Sequence, residues 1–258
     1  MRWVVDLDGV MYLATQPIAG SVDAIARLLA AGHEVVFVTN NSSSPVASVE
    51  AKLSALGVDA RGRVLTSAMA AATMVEPGER VLVCGGPGIV EEVSRRGAEV
   101  VDGPDVDVVV VGLTRDLTYD LLTRATLAVR RGARLLATND DATFPTPEGQ
   151  IPGGGAILAA VVTASGAVPT IAGKPHAPMA GLVRSRLGAS GIVVGDRPDT
   201  DGRFAVELGY RFALVLSGVT STADLPVTPQ PHVVAADLAE VVDLLGTGGR
   251  LSGSYGEG

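Results

Sequence analysis

The stretch VVDLDGVMY at residues 4–12 decides the fold of this chain. It opens with apolar, β-branched residues typical of a buried strand and continues into two acids, Asp6 and Asp8, followed by Gly9. In open parallel sheets, ligands bind beyond the carboxyl ends of the strands. The stretch therefore predicts a first strand that delivers two carboxylates to a binding site.

Outward from this stretch, short Val, Ile and Leu runs alternate with longer amphipathic stretches along the chain. Strands are predicted at 3–6, 34–39, 63–66, 80–84, 98–102, 107–112, 134–138, 168–172, 191–195, 211–216 and 232–235. Helices are predicted at 21–31, 45–56, 88–97, 118–131, 154–165, 176–187 and 237–245. This order is typical of an α/β fold with a doubly wound, Rossmann-like parallel sheet.

Eleven strands are many for one open sheet, so two sheets are expected. Pro and Gly punctuate the chain at 76–78 and 172–175, which offers two linkers. We predict a discontinuous catalytic core at residues 1–77 and 173–258, an inserted α/β cap domain at 78–172, and a flexible tail at 247–258.

The composition narrows the class of protein. Hydrophobic residues make up 47% and charged residues 19% of the 258, enough for a sizeable core. The net charge of −8 argues against a nucleic-acid partner, which needs clustered cations. The single cysteine, Cys84, excludes an internal disulfide framework. No signal peptide is recognised and the apolar runs are too short for a bilayer, so a cytoplasmic protein with no membrane partner is expected.

Further polar residues follow other predicted strands. Thr39-Asn40-Asn41 ends the second strand, Asp196 follows 191–195, and Lys174 lies just after the second linker. Together with the first strand they place carboxylates, a hydroxyl and an ammonium at one sheet edge. Such a set suits phosphoryl transfer, in which a carboxylate can be the nucleophile and a second acid can exchange protons. Carboxylate oxygens also suit Mg²⁺.

The motifs resemble the haloacid dehalogenase (HAD) superfamily, specifically its branch with an inserted C2-type α/β cap. That branch includes NagD-like, p-nitrophenyl, phosphoglycolate and glycerol-3-phosphate phosphatases. The matching segments are VVDLDGVMY at 4–12, FVTNNSS at 37–43, GLTRDLTYDLLTRATLAVRRGARLLATNDD at 112–141, PGGGAILAAV at 152–161, AGKP at 172–175, VGDRPDTD at 194–201 and VLSGVT at 215–220.

The resemblance implies a Mg²⁺-dependent phosphatase that hydrolyses a small phosphate monoester through an aspartyl-phosphate. Asp6 would be the nucleophile and a magnesium ligand. Asp8 would be the general acid/base, with its backbone carbonyl on the metal. Asp196 would also bind Mg²⁺, with Asp201 in support. The substrate would be a small phosphorylated metabolite, with glycerol, glycolate, a nucleoside, a sugar and pyridoxal all open as leaving groups.

The resemblance assigns the remaining site residues as well. Thr39 and the backbone amide of Asn40 would hold phosphoryl oxygens, with Leu7 and Asn41 also among the phosphate-binding residues. Lys174 would balance the charge of the nucleophile and the phosphate. The resemblance further implies a homodimer formed through the cap.

Segment 139–153, NDDATFPTPEGQIPG, is expected to be a loop that closes the entrance of the site. Phe144 lies in its middle, between polar residues, where local burial would be difficult. We predict that Phe144 helps to select the leaving group. The alternative is that Phe144 packs back on the cap or supports a dimer contact, since exposed loop aromatics often mark interfaces.

Two other function classes, an oxidoreductase and a non-catalytic binding protein, compete with the phosphatase. The run CGGPG at 84–88 resembles a dinucleotide-binding turn and would suit an oxidoreductase, but it lacks the full Gly-x-Gly-x-x-Gly spacing. We interpret it as a tight turn in the cap. A non-catalytic regulator or sugar-binding protein is the other class. Intact Asp6, Asp8, Lys174 and Asp196 argue against it, because a binding module needs no nucleophile beside an acid.

Overall fold

The structure, a computed structural model, describes residues 1–146 and 149–245, without the side chain of Pro145. The predicted tail at 247–258 lies outside the described residues. No helix in the described part of the chain is long and apolar enough to cross a membrane.

The strands follow one another through the whole described chain. They are β1 (Arg2–Val5), β2 (Tyr12–Leu13), β3 (Gln16–Pro17), β4 (Glu34–Thr39), β5 (Val64–Thr66), β6 (Arg80–Cys84), β7 (Glu99–Val100), β8 (Val108–Val111), β9 (Arg134–Ala137), β10 (Thr143–Thr146), β11 (Gly149–Pro152), β12 (Thr170–Ile171), β13 (Ile192–Gly195), β14 (Arg211–Val215) and β15 (Val233–Ala235).

The helices lie between these strands. They are α1 (Ser21–Ala30), α2 (Val46–Ala55), α3 (Ser67–Ala72), α4 (Pro87–Arg95), α5 (Tyr119–Arg130), α6 (Gly154–Ser165), α7 (Ala177–Leu187), α8 (Arg203–Leu208) and α9 (Leu238–Leu245). A π-helical turn, Pro198–Gly202, precedes α8, and a 3₁₀ turn covers Thr222–Asp224.

The larger sheet has six parallel strands in the order β15-β14-β13-β1-β4-β5. The chain builds β1, β4 and β5 outward in one direction, then returns to add β13 beside β1 and continues the other way. The strand order therefore reverses between β1 and β13. Such a reversal opens a crevice at the carboxyl ends of the strands.

The smaller sheet has five parallel strands in the order β12-β9-β8-β6-β7. All of its strands lie between the two predicted linkers. The prediction of an α/β fold with parallel sheets is confirmed. The division into a core and an inserted domain stays a prediction, and we use the names core sheet and inserted sheet for these two sheets.

Alternating residues of the core sheet point to opposite faces, as strand geometry requires. Val4 and Val36 face one apolar cluster, whereas Trp3, Val5 and Phe37 face another. The first cluster continues without a break into buried residues of the inserted segment, namely Val81, Ile89, Val93, Val108, Val110 and Leu136. The inserted segment therefore shares a hydrophobic core with one face of the core sheet.

Helix α1 ends as the sequence predicted. Gly32 has a left-handed φ of 74°. The Gly32 amide donates to the Leu29 carbonyl and the His33 amide donates to the Leu28 carbonyl. This pair of bonds is the Schellman arrangement that glycine favours after a helix.

Two hairpins and two helices are absent from the sequence prediction. Strands β2 and β3 form one hairpin, and Ala14 in its turn has a positive φ of 53°. Strands β10 and β11 form the other within segment 139–153, so the expectation of a plain loop there is wrong. The prolines of that segment suggested a loop, but a two-stranded ribbon leaves many amides unpaired and tolerates proline. The two helices are α3 and α8.

Candidate active site

Three carboxylates converge at the reversal point of the core sheet. Asp6 follows β1 and Asp196 follows β13, while Asp201 lies in the π-helical turn. One carboxylate oxygen from each lies within 4.8 Å of the others. Asp196 and Asp201 are 1% exposed, so the cluster is withdrawn from water.

Lys174 holds two of these acids together. Its Nζ donates to Asp6 Oδ1 at 2.6 Å and to Asp201 Oδ1 at 2.7 Å. Burial disfavours the ammonium, but the charges of Asp201 and Asp6 outweigh it and raise the pKa of Lys174 above its ordinary value. The lysine is therefore protonated and supplies one fixed positive charge to three acids.

The one positive charge of Lys174 does not neutralise the three carboxylates of this cluster. Burial, and then the charge of Asp201, raise the pKa of Asp196 to about 7. Burial likewise raises the pKa of Asp6, with Lys174 acting in the opposite direction. Asp196 Oδ2 accepts a hydrogen bond from the Val219 amide at 2.6 Å, whereas its buried Oδ1 has no partner among the described residues. An unpartnered buried carboxylate oxygen inside an acidic cluster fits a hard divalent cation.

Glycines make room for this cluster. A Cβ on Gly218 would lie 2.0 Å from Asp196 Oδ2, and one on Gly9 would lie 2.4 Å from the same atom. A Cβ on Gly195 would lie 2.2 Å from Asp201 Cγ. Any larger residue at these positions would push the carboxylates out of place.

Asp8 lines the same cavity as Asp6. Burial raises the pKa of the Asp8 carboxyl, with the charges of Lys52 and Lys174 acting in the opposite direction. The Lys52 ammonium lies 3.2 Å from the centre of the Tyr12 ring. A buried acid with a raised pKa is a better proton donor for catalysis than an ordinary exposed carboxyl, because its acid form is favoured.

The residues after β4 form the adjoining wall. Thr39, Asn40 and Asn41 all line the cavity. The Asn41 amide donates to Thr39 Oγ1 at 3.1 Å, and Asn41 Oδ1 accepts from the Ser43 amide at 3.0 Å. Leu7 is buried in the core with 0% exposure and is not among the residues that line the cavity.

The CGGPG run packs against this wall. The Gly88 amide donates to the Ser43 carbonyl at 3.1 Å. A Cβ on Gly86 would lie 2.5 Å from the Ser43 carbonyl oxygen, and one on Gly88 would lie 2.3 Å from that of Ser44. These glycines allow two backbones to touch, which agrees with a tight turn and leaves no room there for a dinucleotide.

The site opens into a cavity of about 650 Å³ between the two sheets. Leu13 and Gln16 of the first hairpin line it from the core side. Thr143, Phe144 and Thr146 of the second hairpin line it from the inserted side. The structure thus brings Phe144 to the same cavity as Asp6 and Asp8.

Several cavity residues were missed from the sequence. Arg197 follows Asp196 directly, and its buried Nε has no partner among the described residues. Asn139 and Asp141 follow β9, so the rule that ligands bind beyond strand ends could have found them. Lys52 does not line the cavity, but its charge acts to lower the pKa of Asp8; it lies within α2, and no local signal marks it.

Two family profiles match separate segments of this chain. A haloacid dehalogenase-like hydrolase profile matches residues 3–99, and a HAD-hydrolase-like profile matches residues 171–241. An acid sugar phosphatase from Staphylococcus haemolyticus is 36% identical over 232 residues, which are 86% of this chain and 88% of that protein.

Solved structures show the same similarity. A p-nitrophenyl phosphatase from Archaeoglobus fulgidus has a TM-score of 0.89 at 31% identity, over 95% of this chain and 98% of that one. A glycerol phosphate phosphatase from Mycobacterium tuberculosis, solved with calcium, has a TM-score of 0.87 at 35% identity, over 93% of this chain and 74% of that one. A second structure of that enzyme contains magnesium.

Proposed function

The chain belongs to the haloacid dehalogenase-like hydrolases and is a phosphatase of that family, and we propose that it hydrolyses a small phosphate monoester through an aspartyl-phosphate on Asp6. The observation that carries the proposal is the buried cluster of Asp6, Asp196, Asp201 and Lys174 at the reversal point of the core sheet.

Asp6 is the nucleophile in this proposal. Its carboxylate oxygen attacks phosphorus, a phosphorus–oxygen bond forms to Asp6, and the bond to the leaving alkoxide breaks. Lys174, 2.6 Å from Asp6 Oδ1, favours the ionised carboxylate against the effect of burial on its pKa. Thr39 and the backbone amide of Asn40, which lie at the end of β4, bind the phosphoryl oxygens.

Asp8 is the general acid and general base in this proposal. In the first step it donates its proton to the leaving alkoxide, and in the second it takes a proton from water. The water oxygen then attacks the phosphorus of the aspartyl-phosphate, which releases inorganic phosphate and restores Asp6. Burial raises the pKa of Asp8, and this direction suits the first of these roles because it favours the acid form.

Asp6, the Asp8 carbonyl and Asp196 would hold Mg²⁺, with Asp201 supporting the shell. The unpartnered Asp196 Oδ1 supports this assignment. When bound, the cation would neutralise charge on the phosphoryl group and the carboxylates. The magnesium and calcium in the related glycerol phosphate phosphatase structures support the choice of a hard divalent ion.

The names of the relatives support a small substrate. They are named acid sugar phosphatase, glycerol phosphate phosphatase and p-nitrophenyl phosphatase. A cavity of about 650 Å³ has room for a leaving group of this size. A homodimer through the cap, and the absence of nucleic-acid and membrane partners, stay predictions.

A phosphate-release assay with and without Mg²⁺ tests the proposal. We expect turnover of at least one of p-nitrophenyl phosphate, glycerol 3-phosphate and a sugar phosphate. We expect EDTA to abolish it and added Mg²⁺ to restore it. Full activity in exhaustively chelated buffer would contradict the metal assignment, and no release from any ester would contradict the substrate class.

A further inference from the structure

The side chain of Asn40 lies at the centre of a hydrogen-bond network that joins three segments of the chain. Its Oδ1 accepts from the Lys174 amide at 2.8 Å. Its Nδ2 donates to the Lys174 carbonyl at 3.0 Å and to Asp141 Oδ2 at 3.0 Å. The side-chain amide of Asn40 thus binds the backbone of Lys174 on one side and the carboxyl group of Asp141, in the inserted segment, on the other.

The backbone of Asn40 is held as well. Its carbonyl accepts from Ser67 Oγ at 2.6 Å and from Asn139 Nδ2 at 2.7 Å. Asn139 and Asp141 both follow β9, and the Asp141 amide donates to Asn139 Oδ1 at 3.2 Å. Two residues of one short segment therefore contact both the main chain and the side chain of Asn40.

Asp141 supplies a carboxyl oxygen of the inserted segment to this network. Its carboxylate is largely buried, and burial raises its pKa while the Asn40 hydrogen bond acts in the opposite direction. An ionised Asp141 carboxylate can only accept hydrogen bonds, and it accepts from the Asn40 Nδ2 group. This bond and the two bonds to the Lys174 backbone require the same orientation of the Asn40 side-chain amide. Asp141 is therefore the contact of the inserted segment that supports this orientation.

We propose that Asp141 is a positioning residue for phosphoryl transfer: it orients Asn40, and Asn40 holds the Lys174 backbone so that the Lys174 ammonium reaches Asp6. The inference rests on the proposed function, because Lys174 matters only if Asp6 reacts. It makes the segment after β9 part of the phosphoryl site, independently of any contact with the leaving group.

The test measures kcat for two esters with unlike leaving groups, p-nitrophenyl phosphate and glycerol 3-phosphate. We expect Asp141→Ala to lower kcat by about tenfold to a hundredfold, because a displacement of about 1 Å at a reacting group can cost about a hundredfold in rate. The factor should be the same for both esters, because the defect lies at phosphorus. Asp141→Asn should lose less, since its amide oxygen can still accept from Asn40.

Asp140 offers a matched control. It is the neighbouring acid, its side chain is 45% exposed, and it contacts His176 at 3.3 Å rather than Asn40. Asp140→Ala should leave kcat within about twofold of wild type, as expected for an exposed ion pair. An equal loss in both alanine variants would overturn the proposal, because it would indicate a general disturbance of the segment.

A double-mutant cycle tests whether Asp141 acts through Asn40. In an Asn40→Ala background, Asp141→Ala should have no further effect on kcat, because the contact that it removes no longer exists. Additive losses would overturn the proposal. If Asp141→Ala does not fold, the cycle is run with Asp141→Leu, which also removes the acceptor for Asn40, and wild-type kcat in that variant would overturn the proposal instead.

The outcomes separate the two hypotheses. If the wild-type protein releases phosphate from neither ester, the proposed function fails. If it does so and the Asp141 variants match it, only the present inference fails. A loss that differs more than about tenfold between the esters would show that Asp141 contacts the leaving group, and would also overturn the positioning role.

Discussion

The core sheet and the inserted sheet are both parallel, yet they use their carboxyl edges differently. Strands β1 and β13 of the core sheet are followed by acids, Asp6 and Asp196. Strands β6 and β8 of the inserted sheet are followed by Gly85 and Gly112. The first edge presents charge to a cavity. Where β6 and β8 end, the second edge lies against the segment after β4, and the residues after β9 reach the cavity.

Glycine and hydroxyl groups make this second edge a docking surface. A Cβ on Gly112 would lie 2.7 Å from Ser42 Oγ. The Ser42 hydroxyl shares a 2.8 Å hydrogen bond with Thr138, which follows β9. The edge where parallel sheets usually bind ligands thus binds the neighbouring part of the same chain. A parallel sheet alone does not predict chemistry; the residues after its strands do.

The first prediction concerns the carboxyl edge of the core sheet, which we call the chemical edge. The substitution leaves the carboxyl edge of the inserted sheet, the docking edge, intact. Asp6→Asn should lower kcat by at least about a thousandfold, because an amide cannot attack phosphorus. The melting temperature should hold or rise, since the variant removes one buried acid from a cluster of three. A stopped assay for phosphate and a thermal melt check both. Activity above about a hundredth of wild type would contradict covalent catalysis by Asp6.

The second prediction breaks the docking edge. Gly88→Ala should lower the free energy of unfolding by about 1–3 kcal/mol, because its Cβ would meet the Ser44 backbone, which has little freedom to move. Urea denaturation measures the loss. Gly103→Ala is the matched control, since a Cβ there would meet no atom within 4 Å. Equal stability of the two variants would show that the two backbones do not pack this closely.

The third prediction concerns pH. The pKa of folded Asp196 is about 7, above its ordinary value of 3.8. The folded state therefore binds the proton more tightly, and this contribution to stability is lost as pH rises through about 7. In EDTA, the melting temperature should fall between about pH 5 and pH 8, and Mg²⁺ should raise it more at the higher pH. A flat profile in wild type, or an equally steep one in Asp196→Asn, would contradict this account.

The fourth prediction concerns the cavity, where Phe144 of the inserted segment and the acids at the carboxyl edge of the core sheet line the same space. Phe144→Ala should redistribute kcat/KM among phosphate esters by roughly tenfold, because Phe144 lines the cavity from the inserted side. Tyr119→Ala is the control, since Tyr119 is 85% exposed and is not a cavity residue. A uniform change across the esters would mean that Phe144 does not select among them.

Most of the fold was predictable because apolar periodicity is a local property. The segment EVVFVT at residues 34–39 was predicted as a strand and is β4 without a change of bounds. Helix α3, SAMAAA, was missed because five of its six residues are buried, so the segment has no polar face. Strands β2 and β3 have two residues each, too few to show a period.

The site was predictable where residues directly follow core strands. Asp6, Thr39 and Asp196 come together because parallel strands end at one edge. The hydrogen bonds between Asn40 and Asp141 were not predictable, because the two residues lie 101 positions apart and belong to different sheets. Local sequence carries no information on which way a loop side chain will turn.

The pairing of β1 has a consequence for synthesis of the chain. Trp3 pairs with Val35 on one side, which the ribosome supplies within seconds, but with Ile192 on the other. At about 5–20 residues per second, that second partner arrives roughly 10–40 s after the first strand is made. Throughout this interval one edge of an apolar strand is open, and open apolar edges recruit other chains. The nascent chain is therefore most vulnerable to aggregation before residue 192 emerges, and chaperone protection in that interval matters most for its yield.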